Sequence, residues 1–362
     1  MQTKTHEDNP SLKVGIVGCG VIAGTHLTAY QALPGVEVTW LCDCIYSKAE
    51  SLASEFGVPQ ATASYWEMLE ATDLDCLSVC TDHASHAPLS IAALEAGKHV
   101  LCEKALAASR QGLDAMIAAD QSHPELIFAG VFQHRFDPVY QALRAGVEEG
   151  VFGDILTGGV RLYCRRKKDY YQADSWRGTW AKEGGSVLIN QAIHFIDALA
   201  WITGGVRRIC GRYANLTHGS TIETEDTAVA SLEFKKGGLG IVEATSSSAT
   251  GWAPHLHLQG TRGAVEVRNG EIINADFKEA AAKAELEAQI RSFTGAKTAG
   301  AGAIGKEYYG TGHTAQITDF IDAVKTGRQP AVTSESARHA VDIVLAIYEA
   351  HRQQKWVDVG VQ

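Results

Sequence analysis

The chain has 362 residues, 45% of them apolar, and a formal charge of −10 at pH 7. That length exceeds one ordinary hydrophobic core and fits two domains. The acidic balance disfavours nucleic acid and anionic membranes as partners, and no apolar run approaches the ~18 residues that span a bilayer.

The first strong element is the apolar strand Val14 to Val17, which runs into Gly18-Cys19-Gly20-Val21-Ile22-Ala23. This G-x-G-x-x-A turn opens a helix and makes a seat for a dinucleotide pyrophosphate. Gly18 allows the tight turn, Gly20 admits close backbone approach, and Ala23 lets the helix pack on the strand. Val21 and Ile22 belong to the same seat, where the helix N-terminus offers free N–H groups. The strand Val36 to Cys42 then ends on Asp43. An acid there, about 20 residues beyond the turn, accepts the ribose hydroxyls and repels a 2′-phosphate. No arginine occurs in Cys44-Ile45-Tyr46-Ser47-Lys48, so the pattern reads as NAD rather than NADP.

Further on, Leu74 to Cys80 reads as a buried parallel strand and His86 to Ala96 as a helix ending at Gly97. Lys98 to Cys102 and Leu126 to Val131 read as strands. The β-α-β-α rhythm predicts a doubly wound parallel sheet over residues 1–131. Asp43, Thr81 and Glu103-Lys104 then fall at strand carboxyl ends, where such sheets bind ligands. Glu103-Lys104 reads either as an acid/base pair or as a solvated pair at a strand end.

From residue 132 to 362 the pattern changes. Phe152 to Cys164, Asp226 to Phe234, Leu239 to Ser246, His255 to Gln259 and Ala264 to Val267 read as strands, with hairpin turns at 235–238 and 260–263. One helix, Ser186 to Ile202, sits among them. The expected second domain is α+β, with a largely antiparallel open sheet. Within that helix Asn190, His194 and Asp197 are spaced i, i+4, i+7 and share a face. Gly295 to Gly305 reads as a flexible loop. The stripes from Ile317 and from Ala337 read as helices able to pack back on the first domain, and Lys355 to Val359 as a last strand. Eight cysteines without C-x-x-C spacing, and a start lacking an apolar export core, point to a reduced cytoplasmic compartment and no metal. An open sheet that seeks a partner points to a homo-oligomer.

GCGVIAGTH, TDHASHAPLSIAALEAGKHVLCEKALA, GVFQHRFDP and GGSVLINQAIHFIDALAWITGG occur in that order, followed by EDTAVASLEFKKGGLGIVEATSS. Together they resemble the glucose–fructose oxidoreductase / inositol dehydrogenase family, Gfo/Idh/MocA, over nearly the whole chain. The resemblance implies a nicotinamide-dependent oxidoreductase acting on sugars, cyclitols or nucleotide sugars. It places Lys104 beside the nicotinamide as the group exchanging a proton with the substrate carbinol. Ala105 stands where the family usually has proline. Asn190 stands where it often has aspartate, and an amide can orient but not titrate, which leaves Lys104 and His194 as the titrating pair.

The resemblance further assigns Thr81, His86 and Gln133 to the cofactor, with Trp176-Arg177 as a loop over the ring. Asp197 reads as holding a neighbouring side chain. Arg135 reads as steering a substrate anion or pairing with Asp137. Tyr163, Arg165, Tyr170, Tyr171 and His313 are candidates for a sugar pocket, with packing roles an equal alternative. Two other functions fit the same residues: a glycosidase working by transient oxidation and elimination, and a sugar- or NAD-sensing regulator without turnover.

Overall fold

The computed structural model describes residues 11–293 and 310–360. The stretch Gly295 to Gly305 lies outside the described residues.

The first domain alternates β1 (Leu12–Val17), α1 (Ala23–Gln31), β2 (Val36–Cys42), α2 (Tyr46–Phe56), β3 (Gln60–Thr62), α3 (Tyr65–Leu69), β4 (Cys76–Val79), α4 (His83–Glu95), β5 (His99–Cys102), α5 (Arg110–Ser122) and β6 (Phe128–Gly130). The strands form one parallel sheet in the order β3-β2-β1-β4-β5-β6. The order reverses between β1 and β4, and the crevice beyond their carboxyl ends is where such sheets hold ligands. Val14, Ile16, Cys76 and Leu101 are fully buried, as a sheet covered on both faces requires. Helix α4 begins at His83, three residues before the expected start. The Asp82 side chain accepts from the Ser85 N–H at 3.2 Å and caps it.

The second domain begins with a 3₁₀ turn at Gln133–Phe136 and α6 (Pro138–Glu148), then β7 (Ile155–Tyr163) and α7 (Lys168–Gln172). The expected helix over 186–202 divides into a π-helical segment, Val187–Ala192, and α8 (Ile193–Thr203). Strands β8 (Val206–Ala214), β9 (Thr227–Phe234), β10 (Leu239–Thr245), β11 (His255–Gly260), β12 (Gly263–Arg268) and β13 (Glu271–Phe277) follow, then α9 (Ala280–Phe293), α10 (Gly310–Thr326), α11 (Ser334–Gln353) and β14 (Val357–Asp358). Their sheet runs β13-β12-β11-β7-β10-β9-β8-β14 and is antiparallel except for the β7–β10 pair.

Alternation gives this sheet two different faces. Val160, Leu162, Leu232, Val242 and Leu258 point inward and are buried in one core with Leu199 and Ile202 of α8. Val229, Leu239 and Ile241 stand exposed on the other face. Helix α10 returns to the first domain: Ile317, Phe320 and Ile321 share a core with Ile16, Leu27 and Tyr30. All eight cysteines are free thiols. Among the described residues no helix is long and apolar enough to cross a membrane.

Candidate active site

The glycine turn sits at the crevice mouth. Gly18 has φ +92°, and a Cβ there would lie 2.4 Å from the Cys80 carbonyl oxygen at the end of β4. Only glycine meets both conditions. A Cβ on Gly20 would meet nothing within 4 Å, so the space above the turn is open. Val21 is exposed there, and the N-terminus of α1, at Ile22, has no side-chain cap. Asp43 accepts from the Cys19 N–H at 2.9 Å and from the Ile45 N–H at 2.8 Å, which fixes its carboxylate beside the turn. These features suit a dinucleotide: backbone donors, room for phosphates and an anchored acid.

Lys104 follows β5 and precedes a cis Lys104–Ala105 peptide bond. Its Nζ donates to the Asn190 side-chain Oδ1 at 2.8 Å and to the Asn190 carbonyl at 3.1 Å. The π-helical turn makes this double contact possible. It widens the backbone spiral, so one residue offers both its carbonyl and its amide to the same ammonium. The plain i, i+4, i+7 arithmetic therefore does not describe Asn190. Burial pulls the Lys104 amine below its ordinary range; Glu103 and Glu183 oppose that pull, and Arg177 and Arg166 add to it.

His194 is buried, with Phe132 at 6.3 Å and His134 at 5.6 Å between ring centroids. Burial, with the charge of Lys104, holds its imidazole well below the usual range. The ring is thus neutral rather than one half of a titrating pair, with one donor and one acceptor nitrogen. Neither nitrogen has a partner among the described residues, and neither end of the buried Gln133 amide has one. Buried polar groups are rarely left so.

The other expected site residues divide clearly. His86 spans the Ala105 and Thr81 carbonyls at 2.7 and 3.2 Å, bracing the two strand ends. The Trp176 ring lies 5.4 Å from His83, and the Arg177 guanidinium stacks on both Trp176 and Tyr170 at 4.6 and 4.4 Å. Tyr170 receives the Gln191 amide at 2.9 Å, beside Asn190. Glu103 is not a partner for proton exchange with Lys104. Its carboxylate bonds His26 at 3.0 Å and lies 3.4 Å from His313. Burial pushes Glu103 up, but those two histidines outweigh it and hold the acid well below its ordinary range.

The Arg135 expectation is corrected, and Tyr163, Arg165, Tyr171 and His313 take contacts within the fold. Arg135 pairs with Asp197 at 2.6 and 2.8 Å and with Ser336, whereas Asp137 takes His134; the guanidinium is committed to the core rather than to a substrate anion. Tyr163 lies on the open sheet face, bonded to Glu243 at 3.0 Å. Arg165 is exposed and bonds the Ala249 carbonyl. Tyr171 is buried against Ser246 and His218. His313 faces Glu103 and His26. Four residues near Lys104 were not anticipated: His83, Arg166, Glu183 and Gln191. Arg166 stacks on Tyr170 at 5.1 Å and donates to Gln191.

Glu225 fixes the start of the π-helical turn. It accepts from the Ser186 and Leu188 N–H groups, each at 3.0 Å, and from the Tyr348 hydroxyl at 2.8 Å. Burial pushes its carboxyl from 4.5 up to about 7. Between those values the native state binds the proton more tightly than the unfolded chain, so this group's contribution is full below the lower value and lost as pH rises through the upper one. The melting temperature of wild type is expected to fall relative to that of Glu225→Gln as pH rises across that range. A constant difference would refute the coupling.

Two family models match the chain: "GFO/IDH/MocA C-terminal domain" over residues 140–266 and "Oxidoreductase family, NAD-binding Rossmann fold" over residues 12–131. The chain belongs to the Gfo/Idh/MocA family. It is 30% identical to the D-glucoside 3-dehydrogenase of Escherichia coli K12 over 63% of this chain and 68% of that one. It is 24% identical to the myo-inositol 2-dehydrogenase of Thermotoga maritima over 91% and 93% of the two chains. The WlbA dehydrogenase of Bordetella pertussis, solved with NADH and UDP-GlcNAcA, superposes with a TM-score of 0.87 at 24% identity, covering 98% of this chain and 99% of its own. As a Gfo/Idh/MocA member the chain is an NAD-binding oxidoreductase, built on the family's two-domain plan.

Proposed function

We propose that this Gfo/Idh/MocA protein oxidises a secondary ring hydroxyl of a sugar or cyclitol, with Lys104 exchanging the hydroxyl proton. The observation that carries this reading is a buried, pKa-lowered lysine close enough to the unpartnered His194 to depress its imidazole. Bound NAD supplies the hydride acceptor. Neutral Lys104 takes the hydroxyl proton, and His194 donates a hydrogen bond to the developing alkoxide. Asn190 aims the lysine. The named activities of the glucoside and inositol dehydrogenases support a cyclic polyol as substrate.

A panel of free sugars, sugar acids, glycosides, cyclitols and nucleotide sugars with NAD+ and NADP+, followed at the absorbance of reduced nicotinamide, tests the reading. NADH formation with at least one is expected. Free sugar released without NADH identifies the oxidation–elimination reaction instead, and binding without either product identifies a sensor. Asp43→Ala is expected to relax discrimination against NADPH, read as the ratio of kcat/KM for the two cofactors. An unchanged ratio means the ribose is read elsewhere.

The eight free thiols suit a reducing cytoplasm. The exposed row Val229, Leu239 and Ile241 suits contact between copies of this chain. Ile241→Arg is expected to lower the mass measured by light scattering to that of a monomer. A wild-type chain already monomeric at working concentration overturns this.

A further inference from the structure

Asn190 faces Lys104 on one side and Glu183 on the other. Its Oδ1 accepts from the lysine at 2.8 Å, and its Nδ2 donates to Glu183 Oε1. The second carboxylate oxygen of Glu183 accepts from the Gly178 N–H. The residue is 1% exposed, and its own carbonyl accepts from His83 at 2.8 Å. Both carboxylate oxygens are thus acceptors; burial pushes the Glu183 carboxyl up, and the Gly178 N–H, the Asn190 amide, Arg177 and Lys104 pull against it in favour of the charged form. Without Glu183 the amide could turn and present its NH₂ to the ammonium, two donors face to face.

We propose that Glu183 is a positioning residue for Lys104: it locks the Asn190 amide with oxygen toward the ammonium and supplies, one side chain removed, the negative charge that an aspartate at 190 would carry. This deepens the proposed function and rests on Lys104 being the group that exchanges the proton. The charged and titratable groups around Lys104 are Glu103, Glu183, Arg166, Arg177, His83 and His194. Those around Glu183 are Lys104, Arg177, Tyr171 and Tyr348. Glu103 is engaged by His26 and His313 on its far side. Removing the Glu183 charge therefore leaves Lys104 facing two guanidiniums with one carboxylate fewer, and its ammonium becomes easier to deprotonate.

The test moves the charge rather than only deleting it. Glu183→Gln keeps the shape but has one acceptor for two donors. In the swap Glu183→Gln with Asn190→Asp, the carboxylate bonds Lys104 directly, the glutamine NH₂ donates to it, and the glutamine oxygen accepts from Gly178. Competitive acylation of Lys104 across pH reads its titration in the folded protein without substrate. Glu183→Gln is expected to lower that midpoint by about one unit, and the swap to restore it. In turnover, kcat is expected to fall at least tenfold in the single variant with KM little changed, and to recover in the swap. An unmoved Lys104 midpoint in the folded single variant overturns the proposal, as does a swap no better than that variant. If Glu183→Gln folds poorly, Asn190→Asp alone is compared with the swap. Two adjacent carboxylates are expected to raise the Lys104 midpoint above wild type, and equal midpoints in the two overturn the proposal. Because acylation needs no substrate, a chain inactive on every sugar would sink the functional reading and leave this result standing.

Discussion

Lys104→Ala is expected to lower turnover by about 10²–10⁴ while leaving NADH affinity within a few-fold of wild type. The size follows from the loss of the proton acceptor together with a hydrogen-bond donor to the developing alkoxide. The sparing of cofactor binding follows from geometry. The seat for the dinucleotide lies on the glycine turn and Asp43, which are tied to each other through the Cys19 N–H and owe nothing to the lysine side chain. Lys104→Arg should be no better than alanine, because a guanidinium stays charged and cannot take the proton. In wild type the burial that lowers the lysine's pKa raises its neutral fraction near neutrality, so activity in the oxidative direction should rise with pH to a plateau. NADH fluorescence titration and steady-state rates on the best substrate of the panel check both halves. Wild-type turnover in the alanine variant removes Lys104 from the chemistry. A collapse of NADH affinity with normal single-turnover rates would make the lysine a cofactor anchor instead.

What the sequence revealed depended on how locally each feature is encoded. The glycine turn, Asp43 and the parallel sheet were legible because a strand, a turn and a helix follow one another within a few residues. The strand β8 was not, since a register shift between Val206 and Arg208 breaks the alternation and Arg207, Arg208 and Arg212 interrupt its apolar positions. Asn190 was legible as a residue but not as a geometry, because a π-helical turn breaks the 3.6-residue spacing from which its facing was inferred. Beyond the end of β7 alternation no longer tells which arginine faces Lys104, and Arg166 rather than Arg165 does so. Glu183 was missed and the partner of Arg135 misassigned for a common reason: each acts through a contact set by the fold rather than by the neighbouring sequence. Asp137 is two residues from Arg135, yet the pairing partner, Asp197, is 62 residues away.

That distant pair carries the second large expected effect. Asp197→Ala should cost about 3–5 kcal/mol of stability, because it strands the Arg135 charge in the core. Arg135 and Asp197 are 6% and 2% exposed and share two hydrogen bonds, at 2.6 and 2.8 Å. Arg135 also holds the Ser336 hydroxyl and carbonyl, at 3.1 and 3.0 Å, so the pair ties the 3₁₀ turn after β6, helix α8 and helix α11 at one point. The same turn carries Gln133, and α8 carries His194. Loss of the tie should therefore loosen both unpartnered site groups as well as the core. Removing both charges tests the origin of the cost. Arg135→Met with Asp197→Leu leaves no buried ion, and replacing a buried pair by apolar groups is often neutral or stabilising. The double variant should thus be more stable than Asp197→Ala by urea midpoint, despite carrying one more substitution. If instead the two lose stability equally, packing around α8 and not the stranded charge is what Asp197 secures.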